Sequence, residues 1–235
     1  MNRRETLMTM IGGLGVVSAS GCAVAQLADA RMVVDDGVSE ITPVYVMTYT
    51  EGHSTVFVRA DFYFFNDKKQ VKLRDDGAIK VNGILLGKDP KELISYIADV
   101  PAAEVLTFEF VRSAGNVQRH SFTLPELHIV ELPQQYAGVD PVRVPLLPGE
   151  VRNGVTEDSY LMTIYGRKGE TRLKGERTSQ SEISFRSVQY SASPPGSYRA
   201  RIFRQQRTPL KNISDSKTGW AVATRGYNFM IEVVQ

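Results

Sequence analysis

Three histidines, His53, His120 and His128, are the residues best suited to metal binding or general-base chemistry. Metal sites need several His, Cys or carboxylate ligands at close spacing, and these three are scattered. His53 sits in a Glu-Gly-His-Ser turn, and His120 and His128 flank a strand end and a proline. Each reads as an exposed or locally bonded imidazole. Asp35-Asp36-Gly37 and Asp75-Asp76-Gly77 supply carboxylates of the kind calcium takes, but neither opens an EF-hand loop and turn formation explains both runs. There is no Gly-x-Ser-x-Gly elbow. The members of a Ser–His–acid triad need not be neighbours in sequence, so that arrangement stays open. The reading is of no catalytic residue, no metal ligand and no cofactor.

The cluster with more chemical content is cationic. Arg199, Arg201, Arg204 and Arg207 crowd one strand-like run, and Arg167, Lys168, Arg172, Lys174 and Arg177 lie on a nearby hairpin. Alternation with Tyr198, Ala200 and Ile202 would point Arg199 and Arg201 away from the core. Arginine forks suit phosphate and carboxylate groups. A solvated strand face that blunts a sheet edge competes with that reading.

Cys22, the only cysteine, acquires meaning from the residues before it. Met1 to Glu5 is basic, Leu7 to Gly21 is uncharged and apolar or small, and Ala19-Ser20-Gly21-Cys22 closes the stretch. That order is the order of an export signal. With Gly12, Gly13, Gly15 and Gly21 it is too short and glycine-rich for a membrane span, which takes about 20 predominantly apolar residues. Ala19-Ser20-Gly21-Cys22 resembles the lipobox of bacterial lipoproteins, with Ala19 where a larger aliphatic residue is usual. The resemblance implies that residues 1–21 are removed and that Cys22 is acylated, with a diacylglycerol and usually an N-acyl group such as palmitate. The chain would then be held at the membrane of the cell envelope by its lipid. Ala23 after the cysteine, in place of aspartate, favours the outer membrane where a cell has two. An ordinary secretory cut after Ala23 or Ala25 competes, since Ala23-Val24-Ala25 is also a small-x-small site. Asn2-Arg3-Arg4-Glu5-Thr6-Leu7 resembles a twin-arginine motif, with Thr6 where Phe is usual, and leaves both export routes open.

Charge divides the remaining chain. Ala23–Asp140 carries 11 Lys and Arg against 17 Asp and Glu, a balance of −6, and Pro141–Gln235 carries 15 against 8, a balance of +7. Opposite halves either attract each other or leave the basic half to an anionic partner. For an exported chain that partner is a lipid head group, lipopolysaccharide or an acidic glycan, and nucleic acid is not expected.

The elements that must position these residues read as strands. Period-two alternation runs through Val44 to Tyr49 and again through Val56 to Phe65, with Val56, Val58, Ala60, Phe62 and Phe64 on one face and Arg59 and Asp61 on the other. Asp75-Asp76-Gly77 and Asn82-Gly83 punctuate the next stretch as hairpin turns of a meander. Asp89-Pro90-Lys91-Glu92 carries an N-cap, a first-turn proline and a capping glutamate, which predicts one short helix to about Ile97. Val105–Val111 and Val117–Leu124 form a hairpin. Pro125, Pro133, Pro141, Pro145 and Pro148 discourage a central strand. Strand signals resume at Tyr160–Tyr165, Thr171–Lys174, Ile183–Val188, Tyr198–Phe203, Trp220–Thr224 and Tyr227–Val234. Ser193-Pro194-Pro195-Gly196-Ser197-Tyr198 resembles the corner of immunoglobulin-like domains, where a tyrosine hydroxyl bonds back to the turn backbone.

The expectation is an all-β chain with two antiparallel β-sandwich, immunoglobulin-like domains after a cleaved signal peptide. Residues 1–21 are the signal, 22–39 a tether and first strand, 40–132 the first domain, 133–140 a linker and 141–235 the second domain. The implied function is that of a non-enzymatic envelope lipoprotein, a structural or protein-interaction module. The alternative is a module binding an anionic envelope ligand through Arg199, Arg201, Arg204 and Arg207. The lipobox resemblance generates the first prediction: mass spectrometry of the mature N-terminus should find an acylated Cys22. A free peptide beginning at Val24 or Gln26 would refute it.

Overall fold

The structure is a computed structural model. It describes residues 41–64, 70–73, 77–92, 94–111, 117–138, 141–147, 154–189, 193–210 and 219–234. The signal, lipobox and tether, and the Asp75-Asp76 turn, lie outside these residues.

The described residues form strands and no helix. The strands are β1 (Ile41–Thr50), β2 (Thr55–Phe64), β3 (Ala78–Val81), β4 (Ile84–Leu85), β5 (Gly87–Lys88), β6 (Tyr96–Pro101), β7 (Val105–Val111) and β8 (Val117–Thr123). Then come β9 (His128–Ile129), β10 (Gln135–Tyr136), β11 (Val142–Leu147), β12 (Glu157–Gly166), β13 (Gly169–Ser179), β14 (Glu182–Gln189), β15 (Gly196–Pro209) and β16 (Trp220–Val233). The all-β architecture expected from the alternation is the one found.

A large sheet runs β5-β6-β2-β1-β16-β15-β12-β13-β14-β11-β9, with β10 added alongside β16, and a second sheet runs β4-β3-β7-β8. The two sheets enclose the first core. Val56, Val58, Ala60 and Phe62 of β2 and Tyr45 and Met47 of β1 face Leu106, Phe108 and Phe110 of β7. Tyr45 stacks on Phe108 with ring centres 4.3 Å apart, and Phe62 lies 4.9 Å from Phe110. The Asn82-Gly83 turn forms as its sequence demands, with φ of 48° and 82°. Its Asn82 amide also accepts from Thr107 N at 2.8 Å and donates to Val105 O at 3.2 Å, which ties the turn to β7.

Two local expectations fail here. Residues 71–86 are not a simple meander, because the β3–β4 hairpin joins β7 while β2, β5 and β6 stay in the large sheet. Asp89 caps no helix. Its Oδ1 accepts from Lys91 N at 2.9 Å, and its own N–H bonds Ser95 O at 2.7 Å. That is a tight Asx loop which returns the chain to β6. An Asp-Pro pair favours either outcome locally, and the pairing of Tyr96 with Ala60 on β2 decides it.

The second core lies between the two halves of the large sheet's other end. Tyr160, Met162 and Ile164 of β12 and Tyr198, Ala200 and Ile202 of β15 face Val144, Leu146, Ile183 and Phe185. The sheet folds over at β13, where register shifts interrupt its pairing with β14. Bulges of this kind let one sheet turn a corner. Gly175 marks the tightest point: a Cβ there would lie 2.7 Å from Phe185 and 2.8 Å from both Ile183 and Tyr160. The Tyr198 corner is present, with the hydroxyl donating to Pro194 O at 2.9 Å.

The two cores are not separate beads. β15 and β16 pair without a break from Gly196↔Val233 to Pro209↔Trp220. The two strand signals read at Trp220–Thr224 and Tyr227–Val234 are therefore one strand. One end of it supplies Ala221 and Ala223 to the first core, and the other supplies Ile231 and Val233 to the second. β1 joins this strand in parallel, Val44↔Trp220 through Thr50↔Gly226, so the large sheet is not purely antiparallel. The segment read as a linker, 133–140, contains β10, and its Tyr136 is buried in the second core. The chain passes between the cores instead at residues 124–127.

The corner and the glycine can be tested by urea denaturation. Tyr198→Phe removes one hydroxyl bond and should cost about 1 kcal/mol. Gly175→Ala overpacks the fold-over and should cost about 1–3 kcal/mol. An unchanged midpoint in either variant contradicts the role given to that residue.

Candidate functional site

The four arginines of the cationic run do not share one exposed face. β15 is central, and its alternation sends Arg199, Arg201 and Arg207 to the back of the sheet and Arg204 to the side that carries the cores. Arg201 is only 6% exposed and Arg204 only 1%. The expectation that Arg201 points into solvent is thus corrected: the side chain packs by Phe203 and Tyr165 on the back of the sheet, while Arg199 on the same face is exposed.

Arg204 is held at the junction of the two cores. It forms a bidentate pair with Asp158 at 2.8 and 2.7 Å, donates to Glu126 O at 2.9 Å and lies 5.4 Å from the Tyr160 ring centre. Burial works against its charge, but the hydrogen bonds of Asp158 and the fields of Tyr160 and Asp158 outweigh it and raise its pKa above the ordinary guanidinium value. Arg207 pairs with Glu157 at 3.0 Å and lies over Trp220 at 4.6 Å. As an exposed pair this contributes little.

Three consecutive carbonyls of the inter-core segment are bound by side chains of the shared hairpin. Arg225 donates to Pro125 O at 3.5 Å, Arg204 to Glu126 O and Tyr227 to Leu127 O at 3.0 Å. Arg225 also pairs with Glu51, which joins the basic half of the chain to the acidic half. The opposite net charges of the halves have a concrete contact here.

Arg199 and Arg201 line a groove of about 500 Å³ on the back of the sheet. Its floor crosses β6, β2, β1, β16, β15 and β12. Thr48, Thr55 and Asn228 bring hydroxyl and amide groups, and Phe57 and Tyr165 bring rings. The guanidinium of Arg201 lies 5.5 Å from the Phe203 ring centre. Burial lowers the Arg201 pKa, with Tyr165 pulling the other way, and burial raises the Tyr165 phenol. Gly226 lies close against β15 beside this arginine, since a Cβ there would meet Ile202 O at 2.7 Å and Phe203 Cβ at 2.8 Å. The Oγ1 of Thr48 is buried and meets no hydrogen-bond partner among the described residues. Buried polar atoms of this kind are uncommon.

The histidines are not brought together. His53 lines the groove, His120 lies against Tyr45 with Nδ1 3.5 Å from the hydroxyl, and His128 lines a separate depression near Arg225. Burial lowers the His120 pKa. Among the described residues no three of His, Cys, Asp and Glu gather in a way that would hold a metal ion.

Sequence reasoning missed a second buried charge cluster. Arg59, 9% exposed, and Asp61, 2% exposed, sit on the outer face of β2 and bond at 2.7 Å. Glu92 meets Arg59 at 2.8 Å, and Gln70 Nε2 donates to Asp61 at 2.9 Å and to Ser95 at 3.0 Å. Burial pushes the Asp61 carboxyl up against the pull of Arg59, and burial with the Asp61 charge pushes Tyr63 up to about 12. The readable signal was an opposite-charge pair two residues apart in a strongly apolar strand. Glu92 and Ser95 bring the Asx loop that begins at Asp89 against it.

No protein-family model matches the chain. No curated protein matches it either. Among solved structures, the plexin A4 extracellular region aligns over 84% of this chain and 27% of its own, at 7% identity and a TM-score of 0.29. The chain thus spans about a quarter of that protein. Fibronectin(III)-like modules of Clostridium thermocellum CbhA align over 82% of this chain and 92% of their own, at 11% identity and a TM-score of 0.22. Scores this low assign neither a family nor a function.

The Arg204 junction carries its own prediction. Arg204→Gln should destabilise the protein by about 3 kcal/mol, because it strands a partly buried Asp158. Arg204→Lys should recover only part of this, since an ammonium cannot form the fork. Replacing both partners, Arg204→Met with Asp158→Leu, should cost less than Arg204→Gln alone. A double variant as unstable as the sum of two single losses would contradict the pairing.

Proposed function

We propose that the protein is a non-enzymatic lipoprotein of the cell envelope that acts as a rigid structural or protein-interaction module. The observation that carries this reading is the continuous β15–β16 ladder, which joins both cores on one sheet, with the segment between them bound at three consecutive carbonyls. Such a body has a fixed spacing between its two ends, which suits a spacer or a docking platform. The lipobox-like stretch ending at Cys22 supports a lipid anchor, and Ala23 favours the outer membrane. The partner class this reading implies is another envelope protein, for which a preformed surface lowers the ordering cost of association.

Affinity purification of the tagged chain from detergent-solubilised envelope tests the reading. One protein should co-purify in stoichiometric amount and should bind the purified chain again when the two are remixed. Enrichment of lipid or glycan with no protein would overturn it. So would recovery of the chain from the soluble fraction with an unmodified N-terminus.

A further inference from the structure

We infer that the groove on the back of the large sheet is a binding site for an anionic saccharide, a sugar carrying a carboxylate or phosphate group. The inference goes beyond the scaffold reading and does not depend on the lipid anchor.

Three observations carry it. The groove's volume of about 500 Å³ is that of a small-molecule site. Its cationic end is built from two guanidiniums two residues apart on β15. Arg199 is exposed at the rim and Arg201 is buried at the floor, so an anion is contacted by the first and attracted by the charge of both. A charge-assisted bond strengthens as water is excluded. The remaining lining is mixed in the way a sugar requires. Hydroxyls and an amide from Thr48, Thr55 and Asn228 match ring hydroxyls, and Phe57 and Tyr165 offer apolar ring surface.

The charges of the groove also lie at opposite ends. Asp99 lies on β6, and β2, β1 and β16 separate that strand from β15. The one carboxylate of the lining among the described residues therefore stands four strands from Arg199 and Arg201, where it can accept from sugar hydroxyls and does not compete for the anion. A flat lipid surface could not reach Arg201, which lies at the floor. Arg204 and Arg207 take no part, since the first belongs to the core side and the second pairs with Glu157.

Calorimetric titration of the full chain in detergent tests this with three probes: a short oligogalacturonate, glucosamine phosphate and a neutral maltooligosaccharide. At least one anionic probe should bind, and the neutral one should bind at least about tenfold more weakly, the loss of one charge-assisted bond. Preference for the uronate identifies a carboxylate sugar as the ligand, and preference for the phosphate identifies a phosphosugar. Affinity should fall with added salt. Arg199→Gln, at an exposed position, should weaken binding several-fold with an unchanged melting midpoint, and Arg201→Gln should weaken it as well through the lost charge. Arg186→Gln, on an exposed position of β14 outside the groove, should leave binding intact. If Arg201→Gln fails to fold, Arg199→Gln decides alone. The inference is overturned by equal binding of neutral and anionic probes, by equal loss in Arg186→Gln, or by no binding of either anionic probe at low salt.

Discussion

An unbroken antiparallel ladder between β15 and β16 carries both halves of the molecule. Each of these strands has fourteen residues, well beyond the usual five or six. At about 3.4 Å per residue such a strand spans two cores in sequence. β1 docks in parallel on one end of β16 and β10 on the other. Neither core could be completed without this hairpin, since Leu210, Ala221 and Ala223 belong to the first and Tyr198, Ile202, Ile231 and Val233 to the second. Motion of one end against the other would therefore have to bend a hydrogen-bonded sheet, which is harder than turning about a loose linker.

The ladder creates a problem where the cores meet. A central strand crossing the gap between two apolar clusters must place some residues where neither cluster covers them. Arg204 and Arg225 face each other at that point in the register. Their charges are balanced by Asp158 and Glu51, and their remaining donors reach the carbonyls of the passing chain. Two cations side by side would repel, but each has its own carboxylate. The junction thus converts a stretch that cannot be apolar into one that fixes the path of residues 124–127.

Legibility tracked the range of the interactions. The β2 core face, the Asn82-Gly83 turn and the Tyr198 corner are local patterns, and each was readable because its cause lies within a few residues. The β1–β16 pairing joins residues about 175 apart and leaves no local trace. The Asp89 loop was misread because an Asx turn and a helix N-cap begin with the same bond from an Asp side chain. β15 was misread for a different reason. Its polar run, Arg204-Gln205-Gln206-Arg207, looks like the exposed end of a strand, yet Arg204, Gln205 and Gln206 are buried in the middle of the sheet. Hydrophobicity alone cannot distinguish a solvated strand face from a buried polar one. The groove was half legible: Arg199 and Arg201 were singled out, but the burial of Arg201 depends on strands from the other half of the chain.

The two faces of β15 therefore do different work with the same residue type. On the core side, a guanidinium is saturated by a carboxylate and a carbonyl, and its contribution is structural. On the back, Arg201 is buried beside a groove whose floor continues across β1 and β2. That part of the floor exists only because β1 pairs with β16. The site and the joint between the cores thus share one cause, the extension of the β15–β16 hairpin past the second core into the first. A change that cut the hairpin back to Gly226 and Phe203 would remove the docking edge for β1, and with it both the first core's sheet and that part of the groove.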